Sequence, residues 1–286
     1  SQKRGGRGIS ALTTREEDFV RHLVTTTTHS RLLFFTNKGR VFKLNAYEIP
    51  EGKRQAKGTA IVNLLQLSAD EKIATLIPID GNDENEYLLL ATKKGIVKKT
   101  KREEFKNINK SGLIAIGLRD DDELIGVELT DGKQEVLLVT KEGMSIRFDE
   151  NDIRYMGRTA MGVKGITLSK EDFVVSMNLC SKGTDVLVVS KNGFGKRTNI
   201  EEYRSQIRAG KGIKTYNISE KTGTIVGADM VNEDDEIMII NSDGVLIRIR
   251  VNEISLFGRV TSGVKLMKTN DEVNVVSIAK INIEEE

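Results

Sequence analysis

The chain has 286 residues, and its 44 lysine and arginine residues are almost balanced by 42 aspartate and glutamate residues, giving a formal net charge of +2. It contains no stretch of eighteen apolar residues and no signal-peptide pattern, so we expect neither a membrane span nor secretion. The single cysteine, Cys180, excludes a disulfide framework and a cysteine-based zinc site, and a cytoplasmic protein is the default expectation.

The N-terminal segment, residues 1–28, opens with a short basic and glycine-rich stretch. By composition alone, such a stretch is typical of a flexible linker. An apolar run with an acidic turn follows it and matches the second half of a repeat that recurs along the rest of the chain. The basic stretch consists of Gln2, Lys3, Arg4, Gly5, Gly6, Arg7 and Gly8.

Five copies of one hairpin follow, at intervals of about 50 residues. Each copy has a leucine-rich or β-branched run, a polar turn that ends in glycine, and a second short run, which is the pattern of a β-hairpin. Glycine supplies the positive φ of such a turn, which we expect at Gly39, Gly95, Gly143, Gly193 and Gly244. The predicted repeats span residues 29–82, 83–131, 132–181, 182–232 and 233–283.

A basic residue stands four positions after the turn glycine in every copy. Any one of them is equally consistent with a solvated surface side chain, but recurrence in five copies favours a partner with evenly spaced negative charge. Duplex DNA is such a partner, because neutralising its phosphates releases counterions. The five residues are Lys43, Lys99, Arg147, Arg197 and Arg248, and the predicted DNA-binding set also includes the adjacent Lys98 and Lys196.

A connector and a glycine-rich basic loop follow each hairpin, and two further strands joined by an acidic turn complete the repeat. Glycine lets backbone amides approach a phosphate closely, and arginine binds phosphate through two N–H groups. The acidic turns, such as Asp121, Asp122 and Glu123, are interpreted as solvated tips. The loop cations that we add to the predicted DNA-binding set are Lys57, Arg158, Lys164, Arg208, Lys211 and Arg259.

Four short strands per repeat predict an all-β fold of propeller-like blades, in a single domain that spans residues 1–286. The chain has six second halves but only five hairpins, which predicts six blades, the first lacking its hairpin. The absence of tryptophan argues against the propeller families that carry a Trp-Asp pair.

No motif in the sequence indicates catalysis or metal binding. Residues 193–197 resemble a phosphate-binding loop, but they lack its first spaced glycine and the Ser or Thr after its lysine. His22 and His29 have no partners at the spacing of a metal site or a catalytic triad. We therefore expect no catalytic residue and no metal ligand.

The basic stretch at residues 2–8 resembles the Gln-Arg-Arg-Gly-Gly-Lys-Gly box of the A subunit of bacterial DNA gyrase, a type IIA topoisomerase. It differs only by lysine and arginine exchanges at Lys3 and Arg7. The resemblance continues in order over essentially the whole chain and implies a β-pinwheel, with six four-stranded antiparallel blades that exchange a strand with their neighbours. Further segments that look like the C-terminal domain of the same gyrase chain are residues 61–65, 124–127, 192–198 and 251–255.

The resemblance also implies a function. Duplex DNA would bend and wrap around the basic perimeter with positive handedness and little sequence preference, so that gyrase introduces negative supercoils in an ATP-dependent reaction. The box is implied to lie between the first and last blades and to clamp the DNA. The implied partners are double-stranded DNA, the N-terminal breakage-reunion part of the gyrase A chain, and the gyrase B chain, in a holoenzyme with two copies of each.

The chemical steps are implied to lie elsewhere in that holoenzyme. The DNA-cleaving residues and the sites for ATP and Mg belong to other domains, so we expect no cofactor on this one. The isolated domain is expected to be a monomer in the bacterial cytoplasm, associated with the nucleoid.

Two alternatives stay open at this point. The C-terminal domain of the topoisomerase IV A chain resembles this fold, but it generally has fewer or degenerate blades and lacks an intact box. A propeller-like platform for protein interactions would make the recurring basic positions incidental. A salt titration separates this second alternative from DNA binding, because contacts to phosphate weaken steeply as salt increases.

Overall fold

The computed structural model describes residues 9–10, 22, 24, 26–52, 58–79 and 85–281, with only the backbone at residues 9–10. This part of the chain contains no helix long and apolar enough to cross a membrane. Its short 3-10 helices are Ala46–Glu48, Ile61–Asn63, Arg102–Phe105, Glu150–Asp152, Cys180–Lys182, Ile200–Glu202 and Val251–Glu253. The strands are β1 (Ile9–Ser10), β2 (Arg31–Thr36), β3 (Arg40–Asn45), β4 (Ile73–Ile79), β5 (Tyr87–Thr92), β6 (Ile96–Lys101), β7 (Leu113–Ile114), β8 (Leu124–Thr130), β9 (Glu135–Thr140), β10 (Met144–Asp149), β11 (Val163–Lys164), β12 (Val174–Leu179), β13 (Asp185–Ser190), β14 (Phe194–Asn199), β15 (Ile213–Lys214), β16 (Ile225–Val231), β17 (Glu236–Asn241), β18 (Val245–Arg250), β19 (Val264–Lys265) and β20 (Val275–Ile281).

The strands form five four-stranded antiparallel sheets, which we number blades 1 to 5 in the order of their hairpins. Each blade contains a hairpin, a longer strand that returns beside it, and a two-residue strand from another repeat. Blade 2, for example, has the order β8, β5, β6, β11, and β11 belongs to the third repeat. The returning strands β4, β8, β12, β16 and β20 contact one another in succession, which leaves the exchanged strands on the outer edges. The expected all-β fold with four-stranded antiparallel blades is confirmed.

The expected count of six blades is wrong, because the described residues form five. Strand β1, from the N-terminal segment, pairs with β18 through Ile9 opposite Leu246, and it becomes the outer strand of blade 5. A sixth sheet would need a sixth hairpin, and the sequence contains five. Residues 58–60, which occupy the place of an exchanged strand in the first repeat, are accordingly not part of any strand.

The hydrophobic core lies between the blades. Side chains alternate between the two faces of a strand, so the first strand of an inner hairpin packs against both neighbouring blades. In β5, Leu88 and Leu90 pack against blade 1, whereas Leu89 and Ala91 pack against blade 3. This double burial explains why these strands are continuous apolar runs without polar alternation.

The turn glycines predicted from the sequence all have positive φ. Gly193 shows why glycine is needed, since a Cβ atom at this position would lie 2.2 Å from the carbonyl oxygen of Met267. The interpretation of the acidic turns as solvated tips is wrong for Asp122, which is buried and accepts a hydrogen bond from the N–H of Lys94 at 2.9 Å. It thus fixes the turn of the hairpin in its own blade.

Candidate nucleic-acid interface

The cation four positions after the turn glycine lies between blades rather than on an open edge. In blade 3, Nε of Arg147 donates to the carboxylate of Glu135, on the same blade, at 2.9 Å. Nη1 of Arg147 donates to the carbonyl oxygens of Ile200 and Tyr203, in the connector of blade 4, both at 3.1 Å. One guanidinium therefore joins an acidic residue of its own blade to the backbone of the next blade, an arrangement that we call the interblade clamp.

A similar clamp recurs in blades 2 and 4. Arg197 donates to the carboxylate of Asp185 at 2.8 Å and to the carbonyl of Ile254, in blade 5, at 2.7 Å. Lys99 donates to the carbonyl of Glu150, in blade 3, at 3.2 Å, and its ammonium lies 3.6 Å from the carboxylate of the same residue. The side chains of Arg197 and Lys99 are only 9% and 5% exposed, so the prediction that they lie on an open perimeter is wrong. Their carboxylate and carbonyl partners offset the cost of burying charge.

The first and last blades differ from this pattern. Arg248 in blade 5 forms an ion pair with Glu236, and its side chain is 48% exposed. Lys43 in blade 1 is partly buried, and its side chain makes no hydrogen bond or ion pair among the residues that the structure describes. Of the five recurring cations, Arg248 is the one placed most openly to solvent.

The neighbouring lysines of the predicted set, Lys98 and Lys196, are fully buried. The Lys98 ammonium donates to the carbonyl oxygens of Ala115, at 2.6 Å, Gly157, at 3.2 Å, and Arg158. Lys196 holds the corresponding loop of blade 5 in the same way. Burial lowers the pKa of each lysine to about 8. These two residues anchor the loops before the exchanged strands and are not positioned to touch DNA.

Those loops carry an arginine at one fixed position, and each arginine reaches the exchanged strand of the preceding blade. Nη1 of Arg158 donates to the carbonyl of Ile114, on β7, at 2.7 Å, and the backbone N–H of Arg158 donates to Glu104 at 2.7 Å. Arg208 and Arg259 repeat the contact on the carbonyls of Lys164 and Lys214. Each guanidinium thus connects the outer edges of two adjacent blades while remaining partly exposed.

A row of lysines follows these arginines on the exchanged strands. Lys164 on β11 and Lys214 on β15 are exposed, and Lys265 on β19 is partly exposed. Lys211, in the loop before β15, is exposed as well. Lys214 and Lys265 were missed by the sequence analysis, although they stand two residues after a loop glycine just as Lys164 does.

The same loops carry further exposed side chains, some cationic and some apolar. Arg154 and Arg204, which the sequence analysis also missed, each follow a buried residue of the connector and are exposed. The apolar side chains of Tyr155, Ile207 and Leu256 are 55%, 82% and 55% exposed. We call this surface of exchanged strands and preceding loops the outer rim, and it offers dispersed cations beside apolar contact area.

Two parts of the predicted DNA-binding set, the box at residues 2–8 and Lys57, lie outside the described residues. The strand directly after the box, β1, pairs with the outer side of the last blade. Its register is that of β19 in the preceding blade, since Ser10 and Lys265 each pair with the residue after a turn glycine. The chain immediately after the box therefore reaches the outer rim at blade 5.

The described residues contain no group of three His, Cys, Asp or Glu side chains that could hold a metal ion. Burial raises the pKa of the Cys180 thiol to about 12, which keeps it in the unreactive protonated form. Burial also raises the pKa of Asp229, on the returning strand β16, to about 6. Lys280, which donates to the carbonyl of Met230 at 3.0 Å, opposes this shift.

Comparison with known proteins assigns the chain to a protein family. The model of the DNA gyrase C-terminal domain, described as a beta-propeller, matches residues 1–27, 30–80, 86–131, 134–181, 184–232 and 235–282. The chain belongs to this family. It is 59% identical over its whole length to the DNA gyrase A subunit of Halalkalibacterium halodurans, and 55% identical over 99% of its length to that of Clostridium acetobutylicum. The chain spans 34% of the length of each of these relatives.

Solved structures of this family and its neighbour share the fold. A DNA gyrase A C-terminal domain superposes with a TM-score of 0.83 at 28% identity, covering 98% of this chain and 92% of that one. The C-terminal domain of a DNA topoisomerase IV superposes with a TM-score of 0.80 at 30% identity, covering 89% and 80%. The two solved structures are similarly identical to the chain, and it is the family model and the identity to the gyrase A subunits that favour the gyrase domain over the topoisomerase IV alternative.

Proposed function

We propose that the chain binds duplex DNA along the outer rim and bends it around the blades. The observation that carries this proposal is the repetition of an exposed or partly exposed lysine on the exchanged strands of blades 2, 3 and 4, namely Lys164, Lys214 and Lys265. A bent duplex presents its phosphates along a curved line, and dispersed cations along a curved rim suit that geometry better than one deep pocket.

The arginines of the rim add to this surface. The contact of Arg158 with the carbonyl of Ile114 uses one of its nitrogens, and a guanidinium has five N–H donors. Bending 20 to 30 base pairs by 40 to 90 degrees costs about 1 to 6 kcal/mol, which several phosphate contacts per blade would offset. Because the described part of the rim has no recognition helix that could enter the major groove, the binding is proposed to be largely independent of sequence.

The family supports a role in a larger enzyme. We propose that the domain wraps DNA for ATP-dependent negative supercoiling by DNA gyrase in the bacterial cytoplasm. Its partners in that enzyme are the breakage-reunion part of the gyrase A chain and the gyrase B chain. In this proposal the domain is a monomer when isolated and contributes no catalytic residue, metal or cofactor. ATP and Mg act on the other domains.

The rim is tested by measuring duplex affinity at several salt concentrations for a Lys164→Gln, Lys214→Gln double variant. A matched control is the Lys38→Gln, Lys170→Gln variant, which removes two exposed lysines from turns outside the exchanged strands and the loops that precede them. We expect the rim variant to bind about tenfold more weakly and to lose about 2 from the slope of log affinity against log salt. Equal losses in both variants would contradict the rim as the binding surface.

The box is tested in the full gyrase holoenzyme by replacing residues 2–8 with alanine. If the box clamps the wrapped DNA next to blade 5, negative supercoiling is lost while ATP-driven relaxation and decatenation continue. Gel assays of the three reactions measure this directly. Supercoiling that survives the replacement would show that the box is not the clamp.

A further inference from the structure

The junction between blades 1 and 2 lacks the interblade clamp that closes the next three junctions. Lys99, Arg147 and Arg197 each donate to carbonyl oxygens in the connector of the following blade. Lys43, in the same register of blade 1, makes no such contact with the connector Arg102–Phe105 of blade 2. The missing contact is the first sign that this junction serves a different purpose.

The acidic partner is missing as well, and a cation stands in its place. The residue twelve positions before the recurring cation is Glu135 in blade 3, Asp185 in blade 4 and Glu236 in blade 5, each paired with that cation. In blade 1 this residue is Arg31. Like that of Lys43, its side chain makes no hydrogen bond or ion pair among the described residues. Two cations thus occupy a pair of positions that holds an ion pair in blades 3, 4 and 5.

A cavity of about 730 Å³ occupies this junction. That volume falls within the range of about 300 to 1,000 Å³ that is usual for small-molecule sites. Apolar and neutral polar side chains form part of its wall, namely Leu33, Ile79, Phe105, Tyr87, Asn85 and Asn107. Among the described residues, the charged ones that line it are the cations Arg31, Lys43, Lys101, Arg102 and Lys106 and the anions Glu86 and Glu103, and Arg102 already donates to the carbonyl of Asn85 at 3.4 Å.

The excess of cationic side chains in the cavity wall favours a ligand that carries negative charge. At the clamped junctions a carboxylate neutralises the cation, and the blades are joined through it. At this junction Arg31 is exposed and Lys43 is partly buried, so water solvates both in the free protein, and a ligand that displaces this water would have to bring two or more negative charges to balance them. Phosphate groups meet this requirement, since arginine and lysine bind them through charge-assisted hydrogen bonds.

We propose that the cavity between blades 1 and 2 binds a phosphate-bearing ligand, whose charge takes the place of the missing carboxylate and joins the two blades. The phosphate is supplied by a soluble polyphosphate or by the backbone of bound DNA, which share this chemistry. The proposal does not depend on the outer rim, because none of the cavity cations belongs to the exchanged strands.

The test uses the 286-residue chain, with inorganic pyrophosphate and a short DNA duplex as separate probes in calorimetric titrations at low salt. Arg31→Glu supplies the carboxylate that blade 3 has, and Lys43→Gln removes the opposing charge. Lys38→Gln is the control, because Lys38 is an exposed cation at the far end of the same hairpin. We expect the two cavity variants to weaken binding by about tenfold or more and the control to leave it unchanged.

The two probes identify the source of the phosphate. Pyrophosphate binding that is lost in both cavity variants indicates a soluble ligand. If pyrophosphate does not bind but duplex affinity falls in both cavity variants and not in the control, the phosphate belongs to DNA. If neither probe distinguishes the cavity variants from Lys38→Gln, the proposal is overturned.

Folding of the variants is followed by thermal unfolding. Arg31→Glu is expected to unfold at or above the wild-type temperature, because it restores the charge pattern of blade 3. Should it not fold, Lys43→Gln carries the test alone. A wild-type chain that binds pyrophosphate but no duplex would refute the proposed DNA function and leave the cavity site standing.

Discussion

The junction between blades 3 and 4 and the junction between blades 1 and 2 have the same architecture but different electrostatics. Both pack a continuous apolar core between two hairpins. In the first, Arg147 joins Glu135 to the connector of blade 4. In the second, Arg31 replaces the acid and a cavity replaces the contact. The two junctions thus keep the apolar core but differ in the charges at two positions of the repeat, and the proposed ligand would join the blades at the second junction.

The largest expected effect comes from breaking a clamp. Asp185→Ala leaves the buried Arg197 with only the exposed Glu233 as an acidic partner among the described residues. Removing one member of a buried ion pair costs about 3 to 5 kcal/mol, and Glu233 should keep the loss of unfolding free energy near the lower value. Arg31→Ala changes the same register of blade 1, where no pair is described, and should cost about 0.5 kcal/mol or less. Urea unfolding of both variants measures the difference, and equal losses would show that the clamp does not stabilise its junction.

The next effect depends on pH and concerns the buried lysines that anchor the rim loops. Burial lowers the pKa of Lys98 and Lys196 to about 8, from 10.5. Between these values the unfolded chain still holds both protons and the folded chain has released them, so raising the pH through this window favours the folded state. The comparison protein is the Lys98→Ile, Lys196→Ile variant. In it, each buried lysine is replaced by the isoleucine that blades 3 and 5 have at the same position, Ile146 and Ile247.

We expect the free energy of unfolding of the wild-type chain to rise relative to that of this variant from pH 8 to about 10. Urea titrations at the two pH values measure it. A difference between the two proteins that stays constant across the window would mean that the lysines do not titrate there.

The smallest effect concerns Cys180, which lies in the apolar core between blades 3 and 4. Burial raises its pKa to about 12, so the thiol is both protonated and covered at pH 8. Its alkylation by a small thiol reagent should be slow in buffer and fast in urea, and Asp185→Ala should accelerate it by loosening a neighbouring junction. Rapid alkylation of the wild-type chain in buffer would indicate that the junctions open readily.

The sequence predicts the parts of the fold that depend on local chemistry. The five hairpins follow from apolar runs around a turn that only glycine accommodates, as at Gly193. The sequence also predicted a strand where each exchanged strand lies, but these strands have two residues each, and only the family resemblance implied that they pair with a neighbouring blade. The blade count failed because pairing of β1 with β18 is a contact between distant parts of the sequence.

The predicted DNA-binding set was partly wrong about position, and its role in DNA binding stays a prediction. Basic residues on a strand look alike whether they face solvent or a carboxylate on another strand, so Lys99 and Arg197 were placed outside. The signal that identifies a clamp arginine is the acid twelve positions earlier, Asp185 for Arg197. Lys214 is the opposite case, because it is exposed on an exchanged strand but was not predicted. Its position two residues after a loop glycine identifies it in the sequence once the exchanged strand is known.

The most direct test of the proposed function is the topology of the bound DNA. Closed circular DNA is relaxed by a nicking-closing enzyme in the presence of saturating chain, and the linking number is then read on a gel. Wrapping around the outer rim with the positive handedness implied by the family predicts an increased linking number, which the Lys164→Gln, Lys214→Gln variant fails to produce. Bound DNA with an unchanged linking number would contradict wrapping.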